Sequence, residues 1–120
     1  MKRSITSALC LLAVAVPFSV ASQDLAMTAG TNAKVLLDND KVRVIELMIP
    51  PGGKTGMHSH GDNVVYFLAD GDSSQTMADG TTKTRHTKAG DTLWSGPVTH
   101  DTTNTGKTPA KALIIELKAK

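Results

Sequence analysis

A chain of 120 residues with one cysteine has room for a single domain and excludes a disulfide-built scaffold. Its formal net charge of +2 is too slight for a nucleic-acid or anionic-membrane surface, so neither partner is expected. The first element explains even that small excess. Met1-Lys2-Arg3 precede an apolar run from Ala8 to Val16, followed by Ser19, Ala21 and Ser22. A basic start, a short apolar stretch and small residues predict a secretory signal peptide over residues 1–22, cleaved after Ala21 or Ser22. The apolar run is too short to span a bilayer comfortably. Leu9, before Cys10, does not suit a lipoprotein signal. The expected product is soluble and periplasmic or secreted. Loss of Lys2 and Arg3 leaves eleven basic and eleven acidic residues. Cys10 leaves with them, so the mature chain depends on its core alone.

Residues 23–33 are small and polar and read as a partly ordered leader. A β pattern begins at Lys34 and continues to Lys118. Val35–Leu37 precede the turn formers Asp38-Asn39-Asp40. Val42–Ile49 is rich in β-branched residues. Ile45, Leu47 and Ile49 lie on one face of it. Val42, Val44 and Met48 lie on the other, interrupted by Glu46, which suggests a strand between two layers. Pro50-Pro51-Gly52-Gly53 ends it. Thr55–His60 is a short strand, and Gly61-Asp62-Asn63 breaks or bends it. Val64–Leu68 is a strong strand. Asp70-Gly71-Asp72 and Asp79-Gly80 read as hairpin turns. Thr81–Lys88 alternates with little hydrophobicity and suggests an exposed strand. Thr92–Trp94 and Val98–His100 are short strands, Thr102–Pro109 a polar loop, and Ala112–Leu117 the closing strand. The mature chain carries no helical period. Many short strands with frequent turns predict an all-β sandwich or barrel.

The chemistry concentrates in Gly52–His60. Alternate residues of a strand share a face, so His58 and His60 point the same way. Two imidazoles on one wall are half of a metal site, and His100 is the third candidate. Divalent transition metals accept neutral imidazole readily, and three histidines leave positions open for water, substrate or dioxygen. On an unbroken strand Val64, Tyr66 and Leu68 would share the histidine face. That would set Tyr66 and Trp94 at the mouth of an apolar pocket, Tyr66 as a candidate catalytic residue. Asp62 would approach a metal only through a bulge, and a turn role explains it better. His86 stands among Thr84, Arg85, Thr87 and Lys88 and reads as an exposed surface residue.

These residues resemble the small single-domain cupins, whose fold is a jelly roll, the double-stranded β-helix barrel. The first cupin motif is glycine, five residues, His-x-His, three or four residues, glutamate, six residues, glycine. Gly52, His58, His60 and Gly71 occupy its positions, and Val64 stands where the glutamate belongs. The second motif is matched by Gly90, Pro97, His100 and Asn104, with the histidine one residue early. The resemblance covers Val35–Leu117 and makes residues 34–118 a cupin domain. Within the family the chain is weakly similar to cupins associated with β-alanine degradation. Without the glutamate, what remains resembles the three-histidine cupins, including the thiol dioxygenases. The resemblance implies a divalent transition metal (iron, manganese, nickel, copper or zinc) on His58, His60 and His100. The exported protein would then handle a small organic molecule, as a metal-dependent oxygenase or as a non-catalytic metal- or ligand-binding module; a vestigial cupin that only dimerises is the third reading. A homodimer is expected, because the apolar edge strand at Val35–Leu37 needs cover.

Overall fold

The computed structural model describes residues 23–120. The predicted signal peptide, residues 1–22, lies outside the described residues. A short helix, α1 (Leu25–Thr28), and a 3-10 turn (Gly30–Asn32) precede nine strands. These are β1 (Ala33–Asp38), β2 (Val42–Ile49), β3 (His58–His60), β4 (Asn63–Phe67), β5 (Gly71–Met77), β6 (Thr82–Thr87), β7 (Thr92–Ser95), β8 (Val98–Asn104) and β9 (Ala110–Leu117).

The strands form a five-stranded sheet in the order β1-β2-β9-β4-β7 and a four-stranded sheet in the order β3-β8-β5-β6. All pairs are antiparallel, and β2–β5 are answered in reverse by β6–β9: β5 by β6, β4 by β7, β3 by β8 and β2 by β9. The chain is one long hairpin, bent at Asp79-Gly80 and wound into a barrel. This is the expected all-β jelly roll, the double-stranded β-helix. At its bend Gly80 adopts φ +86°, the left-handed region that glycine tolerates. Asp79 accepts the Thr81 N–H at 2.9 Å.

The core lies on the inner face of the five-stranded sheet. Ile45, Leu47 and Ile49 of β2 are buried with Ala112 and Ile114 of β9, as the alternation on Val42–Ile49 predicts. The opposite face of β2 meets no second layer within the described chain. Met48 is exposed there, as are Leu37, Tyr66 and Trp94 on neighbouring strands.

Four local expectations are corrected. Residues 23–33 are an integral part of the domain. Leu25 is 1% exposed within the core, Asp24 caps α1 by accepting the Ala26 N–H at 2.8 Å, and Arg43 pairs with the Asp24 carboxylate. The strand predicted over Thr55–His60 contracts to His58–His60, because Gly56 turns the chain at φ +76°. Asp70-Gly71-Asp72 is a crossing between sheets rather than a hairpin turn, since β4 and β5 belong to different sheets. The polar run from Thr102 does not start a loop. β8 continues to Asn104, paired with β5 through Ser73, because its polar side chains face an interior that is itself polar.

Candidate metal centre

Strand pairing brings the three histidines together. His58 stands opposite His100 in the β3–β8 register, and His60 is two residues from His58 on the same face. Ring centroids are 4.7 Å apart for His58–His60, 4.8 Å for His58–His100 and 5.6 Å for His60–His100. One ring nitrogen from each lies within 4.8 Å of the others. His58 and His60 are buried, and His100 is half-buried.

Their hydrogen bonds settle which nitrogens face inward. Nδ1 of His58 lies 2.7 Å from the Gly56 carbonyl oxygen, which can only accept, so Nδ1 carries the proton. Nδ1 of His60 lies 2.8 Å from Oε1 of Glu116 and donates likewise. In neutral rings both Nε2 atoms then carry lone pairs, yet they stand 2.9 Å apart. Two acceptors at that distance repel unless a proton on one ring or a metal ion lies between them. Two imidazoles bound to one ion at ~2.0–2.1 Å bring their nitrogens about 3 Å apart. The donor set therefore fits a transition metal.

Electrostatics keep the rings in ligand form. Burial pushes His58 below its ordinary pKa, with help from His60 and against the Gly56 carbonyl. His100 is pushed down to about 4, chiefly by burial, then by His58 and His60, with a smaller contribution from the positive charge of Arg85. Both are neutral near pH 7, the state a metal requires.

Glu116 was not legible in the motif. It sits two residues beyond Ile114 on the inward face of β9, and it links His60 to Arg43, whose Nη1 is 3.8 Å away. Arg43 also holds the Asp24 carboxyl below its usual range. A carboxylate that fixes a ligand's ring and tautomer is a recurrent feature of metal sites. The available sequence signal was a lone glutamate breaking the apolar inward face of Ala112 and Ile114.

The strand phase after His60 differs from the expectation. The chain crosses between sheets at Gly61-Asp62 and reverses its alternation. Asn63, Val65 and Phe67 line the cavity beside the histidines. Val64, Tyr66 and Trp94 do not line it, and Tyr66 and Trp94 are 40% and 59% exposed. Tyr66, read as a catalytic candidate, thus stands on the wrong face to meet a ligand at the histidines. Val65 rather than Val64 is the inward residue at the motif's glutamate position, and it is equally unable to coordinate. Asp62 is outside the histidine cluster. His86 is exposed, as expected, with Nδ1 2.6 Å from Asp72. Asn104 is a buried clamp. Its amide donates to the Ile49 and Thr108 carbonyls at 2.9 and 2.8 Å, tying β2 to the loop after β8.

The histidines open onto a cavity of about 240 Å³. One wall is apolar, with Leu47, Ile49, Val65, Phe67 and Ile114 from the five-stranded sheet, while His100, Thr102, Ser73, Gln75 and Arg85 line the other. Among solved structures, a cupin domain from Bordetella pertussis Tohama I matches with a TM-score of 0.68 and 32% identity, over 72% of this chain and 92% of that one. This chain belongs to the cupin family. A cupin superfamily protein from Desulfitobacterium hafniense DCB-2 shares the fold at 20% identity and a TM-score of 0.57, covering 72% of this chain and 76% of that one. An RmlC-like cupin with a double-stranded β-helix fold from Methanocaldococcus jannaschii does so at 12% identity and 0.59, covering 72% and 78%. No protein-family model and no curated protein matches this cupin.

Proposed function

We propose that this cupin is an exported protein that binds a divalent transition metal through Nε2 of His58 and His60 together with His100. In this reading it presents a small organic molecule to that metal as an oxygenase. The observation that carries the metal is the pair of Nε2 atoms 2.9 Å apart, each on a ring whose Nδ1 faces an oxygen acceptor. Export rests on the signal-peptide pattern of residues 1–22.

A metal in this position supplies Lewis acidity and a site for activating water or dioxygen. The chain's own residues do the rest. Glu116 holds the Nδ1 proton of His60, and the Gly56 carbonyl holds that of His58. Val65, Phe67 and Ile114 give the cavity an apolar wall against which the carbon chain of a small molecule would rest. With Val65 at the motif's glutamate position and Tyr66 outside, the apolar wall offers no free general base. That favours metal-centred oxidation over proton-transfer isomerisation, and it equally suits a non-catalytic metal- or ligand-binding module. A second copy of the chain would cover the outer face of the five-stranded sheet, where Leu37, Val44, Ile115, Val64 and Trp94 align in one row across all five strands.

The test is elemental analysis of untagged protein beside His60→Ala. Near-stoichiometric metal that vanishes in the variant is expected. No metal in either protein after reloading would overturn the reading. Oxygen uptake by the iron-loaded protein with candidate substrates separates oxygenase from binding module.

A further inference from the structure

The Arg85 side chain makes no hydrogen bond or ion pair with another described residue. It sits on β6 opposite Ser73, at an inward position beside Thr87 and Lys83, and lines the same cavity as the histidines. It is half-buried, and its Nε is wholly buried without a hydrogen-bond partner among the described residues. No carboxylate of the described chain pairs with it. Arg43 likewise buries an Nε without a hydrogen-bond partner, but its guanidinium has Asp24, Asp38 and Glu116 around it, whereas Arg85 has no carboxylate beside it. Lys83 and Lys111 also line the cavity, and the one acidic residue there, Asp72, turns its carboxylate to His86.

A buried guanidinium N–H without an acceptor is costly, and a planar five-donor fork matches a carboxylate in two-point contact. We propose that the cavity binds a short-chain organic monocarboxylate, with its carboxylate on Arg85, its chain along Val65, Phe67 and Ile49, and its far end toward the three histidines. The cavity, about 240 Å³, is below the ~300–1,000 Å³ of sites for drug-sized ligands, which limits the ligand to a small molecule. Ser73 and Gln75, inward on β5 beside Arg85, supply a hydroxyl and an amide for the second carboxylate oxygen. The orientation of the ligand rests on the metal reading above; the hold on the anion does not.

The test uses chelated, metal-free protein, so that no probe is captured by a metal. Butanoate, butanamide and inorganic phosphate are titrated into ¹⁵N-labelled wild type, Arg85→Gln and Arg85→Lys, followed by amide shifts. The expected result is saturable butanoate binding at cavity residues, with butanamide and phosphate at least about tenfold weaker, the cost of losing a charge-assisted pair. Arg85→Gln should bring butanoate down to the amide's level, while Arg85→Lys retains part of the preference. Zinc stoichiometry of Arg85→Gln should equal that of wild type. Equal binding of butanoate and butanamide, phosphate binding as tight as butanoate, no butanoate binding, or butanoate binding indifferent to Arg85→Gln would each overturn the proposal. If Arg85→Gln does not fold, the butanoate-to-butanamide ratio in wild type and Arg85→Lys decides. A protein that binds butanoate but no zinc would fail the metal reading and keep this one.

Discussion

The two walls of the barrel face each other with opposite chemistry. The five-stranded sheet turns Ile45, Leu47, Ile49, Ala112 and Ile114 inward, and these form the core. The four-stranded sheet turns His58, His100, Thr102, Gln75, Ser73 and Arg85 inward, a set that apolar burial cannot stabilise. One wall holds the molecule together by excluding water. The other wall carries polar groups whose cost must be met by hydrogen bonds, as at Asn104, or by a bound cation or anion. The division of labour teaches that stability and ligand binding should respond to different substitutions.

The largest separation is expected from Ile45→Ala. Removing a fully buried aliphatic side chain should cost about 2–5 kcal/mol in urea unfolding, while His100→Ala in metal-free protein should cost far less and abolish metal binding. Next comes Glu116→Gln, where the two walls meet through the His60 ring. Glutamine still accepts the His60 Nδ1 proton but loses the charge, so metal affinity should fall ~10–100-fold by competition titration, with the fold intact.

Acid should expose the polar wall alone. His58 and His100 titrate below their unfolded value of 6.5 when folded, His100 at about 4. The unfolded chain therefore binds more protons in that window. Metal-free protein should be most stable above pH 6.5 and lose stability as pH falls toward about 4. His100→Gln should flatten that slope in denaturant melts across pH. A slope unchanged by the substitution would show that the ring is solvated. The smallest effect on folding is expected outside both walls. Trp94→Glu, on an exposed position, should shift monomer stability by no more than about 0.5 kcal/mol. It should convert a dimer to monomer in sedimentation velocity if the outer face is the contact.

Much of this was readable locally. The alternation of Val42–Ile49 separates Ile45, Leu47 and Ile49 from Val44 and Met48 correctly, because strand alternation is a property of the backbone. The Asp38–Asp40 turn forms where predicted, with Asn39 accepting the Lys41 and Val42 N–H groups at 2.8 and 2.9 Å. His-x-His needs only three residues of strand to put both rings on one side. The misses share a different origin. Unbroken alternation through Gly61-Asp62 would set Tyr66 with the histidines, but the chain changes sheet there and its phase reverses. Leu25 carries no sequence signal of its burial, because the four residues of α1 are too few to show a helical period. Glu116 carries no local signal because its partner His60 lies across the barrel, and Arg85 carries none because the cavity it lines is assembled from distant strands.

From its sequence alone, the chain determined most of its strands, the turns at Asp38–Asp40 and Asp79-Gly80, its two histidine segments and their kinship with cupins, since each depends on neighbours within a few residues. The tertiary structure decided which face of β4 looks inward, that Glu116 holds His60 and that Arg85 stands unpaired in the cavity. Those outcomes depend on register between strands as far apart as His60 and Glu116, and a one-residue change of phase anywhere between them moves every side chain to the other face.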